Sequence, residues 1–187
     1  MEDGWCVWIT GLPGSGKSTV ADLLLEKLKS SGAHAQIVAV DMIRQYATPH
    51  PAYTEEERAI VYGALVFAAK ILTENRVNVI IDATGNRRTF RDQARQAIPL
   101  FIEAYLECPL RVCMHREAKR KDSHLAPTDI YRKAEEAEVS TVPGVGLPYE
   151  KPLDPEVKLD SWRLSAGECA GGILNAVKER FGLESVP

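Results

Sequence analysis

The chain has 187 residues, of which 45% are hydrophobic and 26% charged, with a formal net charge of −3; these values exclude a disordered or fibrous chain and leave room for a substantial core. They also exclude a general nucleic-acid or anionic-membrane surface, and no apolar run reaches the ~18 residues needed to span a bilayer. The acidic start Met1-Glu2-Asp3-Gly4 lacks the features of a signal peptide, and Cys6, Cys108, Cys113 and Cys169 have neither metal nor redox spacing, so the expectation is a cytoplasmic single domain, residues 1–187, with reduced thiols.

Trp5-Cys6-Val7-Trp8-Ile9 reads as a buried strand ending at Thr10-Gly11. After a Gly-rich turn, Val20, Leu23, Leu24 and Leu28 repeat at helical spacing up to the stop signal Ser30-Ser31-Gly32. Ala35 to Val40 reads as a second strand, ending at Asp41. A helix from about Glu55 to Asn75 has one apolar face in Ile60, Ala64, Phe67, Ala68 and Ile71. Val77 to Ile81 is a third strand ending at Asp82, and Phe101 to Leu106 a fourth. Leu110 to about Arg116 begins a helix, and Val157-Lys158-Leu159 is a short fifth strand. Ser165 to Glu168 has capping-box form, and Ile173, Val177 and Phe181 supply the buried face of a last helix.

Alternating helices and wholly apolar strands predict an α/β fold: a five-stranded parallel sheet with helices on both faces. The exception is about 117–156, a polar segment with one short helix (Tyr131 to Glu138) and marked by Pro143, Gly144, Gly146, Pro148, Pro152 and Pro155. A segment of that length and kind inside a domain reads as a lid, with a plain surface insertion as the alternative.

Gly11-Leu12-Pro13-Gly14-Ser15-Gly16-Lys17-Ser18 matches the G-x-x-x-x-G-K-[ST] phosphate loop in full, between a predicted strand and a predicted helix. The glycines let backbone N–H groups turn around a phosphate, and the following helix aims its positive end at it. Lys17, read as solvent-facing, reaches the β- and γ-phosphates, and Ser18 ligates Mg²⁺. The fold class is therefore that of P-loop nucleotide-binding proteins, with ATP and Mg²⁺ as cofactors. No Asn-Lys-x-Asp guanine motif occurs, and a small protein with a lid suits a kinase that excludes water.

On the acceptor side, Asp41 with Arg44, and Asp82 with Asn86, Arg87, Arg88 and Arg91, follow strand ends. Such carboxylates hold Mg²⁺ or take the proton of an attacking hydroxyl, and the arginines suit an anionic acceptor. For Arg87, Arg88 and Arg91 the alternative is the solvated face of a short helix.

The chain resembles the adenylylsulfate kinase family over nearly its whole length. Gly11 to Thr19 is similar to that family's phosphate loop, and Val40-Asp41-Met42-Ile43-Arg44 to its Asp-Gly-Asp-Asn-x-Arg segment. Tyr53-Thr54-Glu55-Glu56-Glu57-Arg58 resembles Phe-Ser-x-Glu-Asp-Arg; 101–106 with 109–113 resembles a scaffold segment, and 130–134 with 148–152 the lid. The resemblance implies transfer of the ATP γ-phosphoryl group to the 3′-hydroxyl of adenosine 5′-phosphosulfate, in sulfate assimilation. It makes Lys17, Asp41 and Asp82 catalytic, puts Mg²⁺ on Ser18 and Asp41, and adds Leu12, Pro13, Ser15, Thr19 and Arg116 to the nucleotide site. Arg44, Tyr53, Arg58, Arg88 and Lys133 would bind the acceptor, Tyr53 by stacking on its base. A homodimer is open, and a nucleic-acid or membrane partner is not expected.

The departures concern the acceptor. Ala39 replaces the first aspartate and Val61 an asparagine. Gly85 stands at a serine, so no phosphoserine step is available, and Val142 stands at the second aromatic of the base sandwich. Ile80-Ile81-Asp82-Ala83-Thr84 is similar to the strand end of other small P-loop kinases. The alternatives are thus a kinase for another nucleotide-linked acceptor such as cytidine diphosphoramidate or for a small molecule, a polynucleotide kinase, or a non-catalytic nucleotide-binding module.

Overall fold

A computed structural model describes residues 3–120, 129–136 and 141–182. Strands β1 (Cys6–Thr10), β2 (Ala35–Ala39), β3 (Asn78–Asp82), β4 (Phe101–Glu107) and β5 (Val157–Asp160) form a parallel sheet in the order β2-β3-β1-β4-β5. Between them run α1 (Lys17–Ser30), α2 (Val40–Ala47), α3 (Glu55–Glu74), α4 (Arg88–Ala97), α5 (Leu110–Lys119) and α6 (Ile130–Glu136), and α7 (Ala166–Phe181) closes the order. The expected five-stranded parallel α/β fold is what forms.

The central strand shows why it reads as continuously apolar. Val7 and Ile9 pack with α1 and α7 through Leu24, Leu28, Ile173 and Val177, while Cys6 and Trp8 pack with α3 and α4 through Leu65, Ala69, Phe90 and Ala94. Both faces are covered, so alternation is lost. The capping box at Ser165 and Glu168 forms as read, and Phe181 stacks on Trp5.

Two expectations change. β2 ends at Ala39, and Asp41 lies in the first turn of α2 instead of ending the strand. The stripe read as the one apolar face of α3 is turned outward: Ile60, Phe67 and Ile71 are 63%, 65% and 43% exposed. Val61, Tyr62, Leu65, Val66 and Ala69 face the sheet instead. A helix apolar around most of its circumference gives periodicity no single face to choose. The short helix of the lid spans Ile130–Glu136; its predicted continuation to Glu138, and most of the insertion read between Arg116 and Ile130, lie outside the described residues.

Arg91 is neither solvated nor a ligand of the acceptor. It is 1% exposed, with Nε 2.5 Å from Glu103 Oε1, and Nη2 donates to Glu150 O at 2.6 Å. Nη1 donates to Gly85 O, so one buried cation fastens the end of β3 to β4 and to the 148–151 segment. Removing the carboxylate would strand this cation. Glu103→Ala is expected to cost about 3–5 kcal/mol, a fall in Tm of roughly 10 °C or more for a chain this size, readable by calorimetry.

Candidate active site

Parallel pairing puts the C-terminal ends of β1, β3 and β2 at one level, with Ile9 opposite Asp82 and Ala39 opposite Asp82. Two hydrogen bonds hold that level: Trp8 Nε1 donates to Ala83 O at 2.9 Å, in a buried bond, and Thr10 Oγ1 to Thr84 O at 2.6 Å. The phosphate loop leaves β1 there, and Asp82, Ala83 and Thr84 line the same cavity of about 850 Å³ as Lys17, Ser18 and Asp41. This is where ligands bind in open α/β sheets.

The glycines divide the work within the loop. A Cβ on Gly11 would lie 2.7 Å from Leu106 O, and one on Gly14 2.5 Å from Cys113 O, so these two permit close packing of the loop on β4 and α5. Gly16, at φ +99°, faces open space, where a Cβ would meet nothing nearer than Arg116 Nη1 at 4.0 Å. Pro13, Gly14, Gly16, Lys17, Ser18 and Thr19 line the cavity. Leu12 instead packs with Cys108, Cys113 and Tyr131, and Ser15 is buried. Arg116 lines the cavity while bracing the loop from behind: its Nη2 donates to Ser161 O at 2.9 Å, and Ser161 Oγ donates to Ser15 O at 2.9 Å.

Lys17 is not solvent-facing. It opens α1, is 9% exposed, and its Nζ donates to Leu12 O at 3.1 Å. Burial pushes the ammonium below its ordinary pKa, and Asp82 and Asp41 oppose that shift. Asp41 is raised, first by burial and next by the charge of Asp82, with Lys17 and Arg44 pulling the other way. The pair of carboxylates and the lysine therefore form one electrostatic unit. Ser18, Asp41 and Asp82 offer hard oxygen donors around one cavity, the donor set that Mg²⁺ takes together with phosphate oxygens. Among the described residues no cluster of three or more His, Cys, Asp or Glu could hold a metal by itself.

Arg44, Tyr53 and Arg58 line the same cavity. The guanidinium carbon of Arg44 lies 4.8 Å and that of Arg58 5.8 Å from the centre of the Tyr53 ring. Arg44 pairs with Glu57 at 2.7 Å, and Arg58 Nη2 donates to Thr141 O at 2.6 Å. Lys133 of α6 and Val142, both within the 117–156 segment, border the same space. Arg88 does not line it; its backbone N–H donates to Glu150 Oε2 at 2.8 Å and Nη1 to Lys151 O at 3.3 Å. The site also includes Thr84, from the strand-end motif Ile80 to Thr84, and Tyr62 and Glu117, for which no motif spoke. Tyr62 OH accepts the Gly85 N–H at 2.9 Å, which fixes the turn after Asp82.

A family model described as adenylylsulphate kinase matches residues 3–160. An adenylyl-sulfate kinase of Rippkaea orientalis is 32% identical over 157 residues, covering 84% of this chain and 82% of the relative. A probable adenylyl-sulfate kinase of Pyrococcus abyssi is 33% identical over 177 residues, 95% of this chain and 97% of the relative. Among solved structures, the Mycobacterium tuberculosis APS kinase in complex with AMPPNP and APS superposes with a TM-score of 0.83 at 27% identity, covering 95% of this chain and 99% of that one.

Proposed function

Since the chain belongs to the adenylylsulphate kinase family, we propose that it transfers the γ-phosphoryl group of ATP to the 3′-hydroxyl of adenosine 5′-phosphosulfate. The observation that carries this reading is one cavity lined together by the phosphate loop, by the carboxylates of Asp41 and Asp82, and by Arg44, Tyr53 and Arg58. Lys17 and the N-terminus of α1 hold the donor phosphates and oppose charge on the β,γ-bridging oxygen as that bond loosens. Ser18 with the carboxylates of Asp41 and Asp82 would hold Mg²⁺, which when bound neutralises phosphate oxygens. Asp41, in the first turn of α2 on the cavity wall, orients the attacking hydroxyl. Arg44 and Arg58 face the acceptor's anionic groups and Tyr53 its base; Arg116 and Lys133 border the donor side and the lid. The whole acts as one kinase domain, with 117–156 as the lid.

The test is ADP release measured with adenosine 5′-phosphosulfate, with cytidine diphosphoramidate, with a 5′-hydroxyl oligonucleotide, and with ATP alone. Acceleration by adenosine 5′-phosphosulfate alone supports the reading. Acceleration by one of the others, or by none, replaces it.

All four cysteines are free and buried, which suits a reducing cytoplasm. Two copies pair through the outward face of α3. Ile60, Phe67 and Ile71 lie on that face with Ala64 and Ala68, and a Cβ on Gly63 would meet nothing within 4 Å, so a second helix has room to approach. Sedimentation of the wild type is expected to give a dimer, and Phe67→Glu a folded monomer. A monomeric wild type at tens of micromolar, by order of magnitude the range of a modest interface, would contradict this pairing.

A further inference from the structure

We propose that Glu57 is the positioning residue of the acceptor wall, setting both Arg44 and Tyr53 through its two carboxylate oxygens; this rests on the acceptor reading above. Oε1 accepts from Arg44 Nη1 at 2.7 Å. Oε2 accepts from the Ala52 N–H at 2.6 Å and the Tyr53 N–H at 2.9 Å. Glu57 is the third residue of α3, whose N-cap is Thr54, with Thr54 Oγ1 accepting the Glu57 N–H. A capping-box glutamate would reach back to the N-cap residue's own N–H. Here the carboxylate reaches one and two residues further, into the turn that carries Tyr53.

That turn is strained. Tyr53 has φ +57°, a left-handed conformation that a bulky side chain adopts only when its surroundings enforce it. The two N–H bonds to Oε2 enforce it from the helix side, and Arg58 Nε donates to Tyr53 O at 3.3 Å from the other. The result is a ring overlain by the guanidinium of Arg44, both facing the cavity. Ala52 and Tyr53 N–H bonds and the Arg44 charge hold the Glu57 carboxyl below its ordinary pKa, against the opposing effect of its burial. One charged group thus orders an aromatic face and an anion-binding cation together, as preorganisation requires.

Only a carboxylate fits, because both of its oxygens accept. The amide of Glu57→Gln satisfies one side and turns a donor toward donors on the other, either the guanidinium or the two backbone N–H groups. In the wild type, KM for adenosine 5′-phosphosulfate and for ATP are measured first; absence of turnover with that acceptor overturns the functional reading and this inference with it. Given turnover, Glu57→Gln is expected to raise the acceptor KM about tenfold or more, the scale of a charge-assisted hydrogen bond, with the KM for ATP unchanged. Combined with Arg44→Met, it should raise the acceptor KM by less than the product of the two single effects. Should Glu57→Gln fold poorly, Glu57→Asp, one methylene shorter, is read by the same ratio of acceptor to ATP KM. An unchanged acceptor KM, a parallel rise in both KM values, or strictly multiplicative effects in the double variant would overturn the positioning role while leaving the kinase reading intact.

Discussion

Lys17→Ala is expected to lower kcat by about 10²–10³-fold or more, the loss seen when a preorganised charge is removed from a transition state, in a protein that still folds. Two features of the structure make both halves of this result follow. The ammonium is buried at the base of the donor side, where water cannot substitute for it. Its pKa is already pushed down by that burial, so the folded state holds the charge at some cost, and removing it does not subtract a stabilising charge. What the fold loses is the bond from Nζ to Leu12 O, a neutral acceptor at the rim of the loop. Circular dichroism and a melting curve alongside the kinetics separate loss of chemistry from loss of structure.

The second large effect separates the two carboxylates. Asp41→Asn should lower kcat by about 10²-fold or more, the contribution of a positioned base, with little change in the KM for ATP. The direction of its pKa shift adds a stability signature. A carboxyl whose folded pKa is raised favours the protonated form, so the native state loses stability as pH rises from the unfolded pKa through the folded one. At neutral pH the Asp41 charge therefore costs stability, and Asp41→Asn is expected to keep or raise Tm while losing activity. In the metal-free protein the Asp41 carboxyl, followed by NMR, should titrate above the ordinary range of an aspartate, and lower in Asp82→Asn, because the Asp82 charge is among the causes of the shift. If Asp82→Asn is the severe variant and Asp41→Asn the mild one, the roles of the two carboxylates are exchanged.

What the chain reveals before folding depends on whether its signals are local. The phosphate loop is local: eight consecutive residues set the turn, and the strand before it and helix after it carry their own patterns, so Gly11 to Ser18 stand where expected. The fifth strand and the capping box at Ser165 are local as well. The face of α3 is not, because Ile60, Phe67 and Ile71 are as apolar as Val61, Leu65 and Val66, and only the position of the sheet distinguishes them. Arg91 is misread for a related reason. Its charge suggests a ligand or a solvated side chain, whereas its partner Glu103 comes from the next strand and Gly85 O from the preceding turn. Arg58 looks like an acceptor contact by resemblance, yet part of its guanidinium is spent on Thr141 O, 83 residues away. Glu57 is invisible for the opposite reason. It sits in an acidic run typical of any helix start, and its double grip on Arg44 and the Tyr53 turn appears only when α2 and α3 come together.

The central claim is that the phosphoryl group passes to a sugar hydroxyl of a sulfated adenine nucleotide. The most direct measurement is to incubate the wild-type protein with ATP, Mg²⁺ and adenosine 5′-phosphosulfate and to identify the product by phosphorus NMR. A new phosphomonoester on the 3′-oxygen, formed with one ADP per product and absent in Lys17→Ala, is the predicted result. Stoichiometric ADP release without a phosphorylated nucleotide, or a phosphoryl group on any other oxygen, would contradict it.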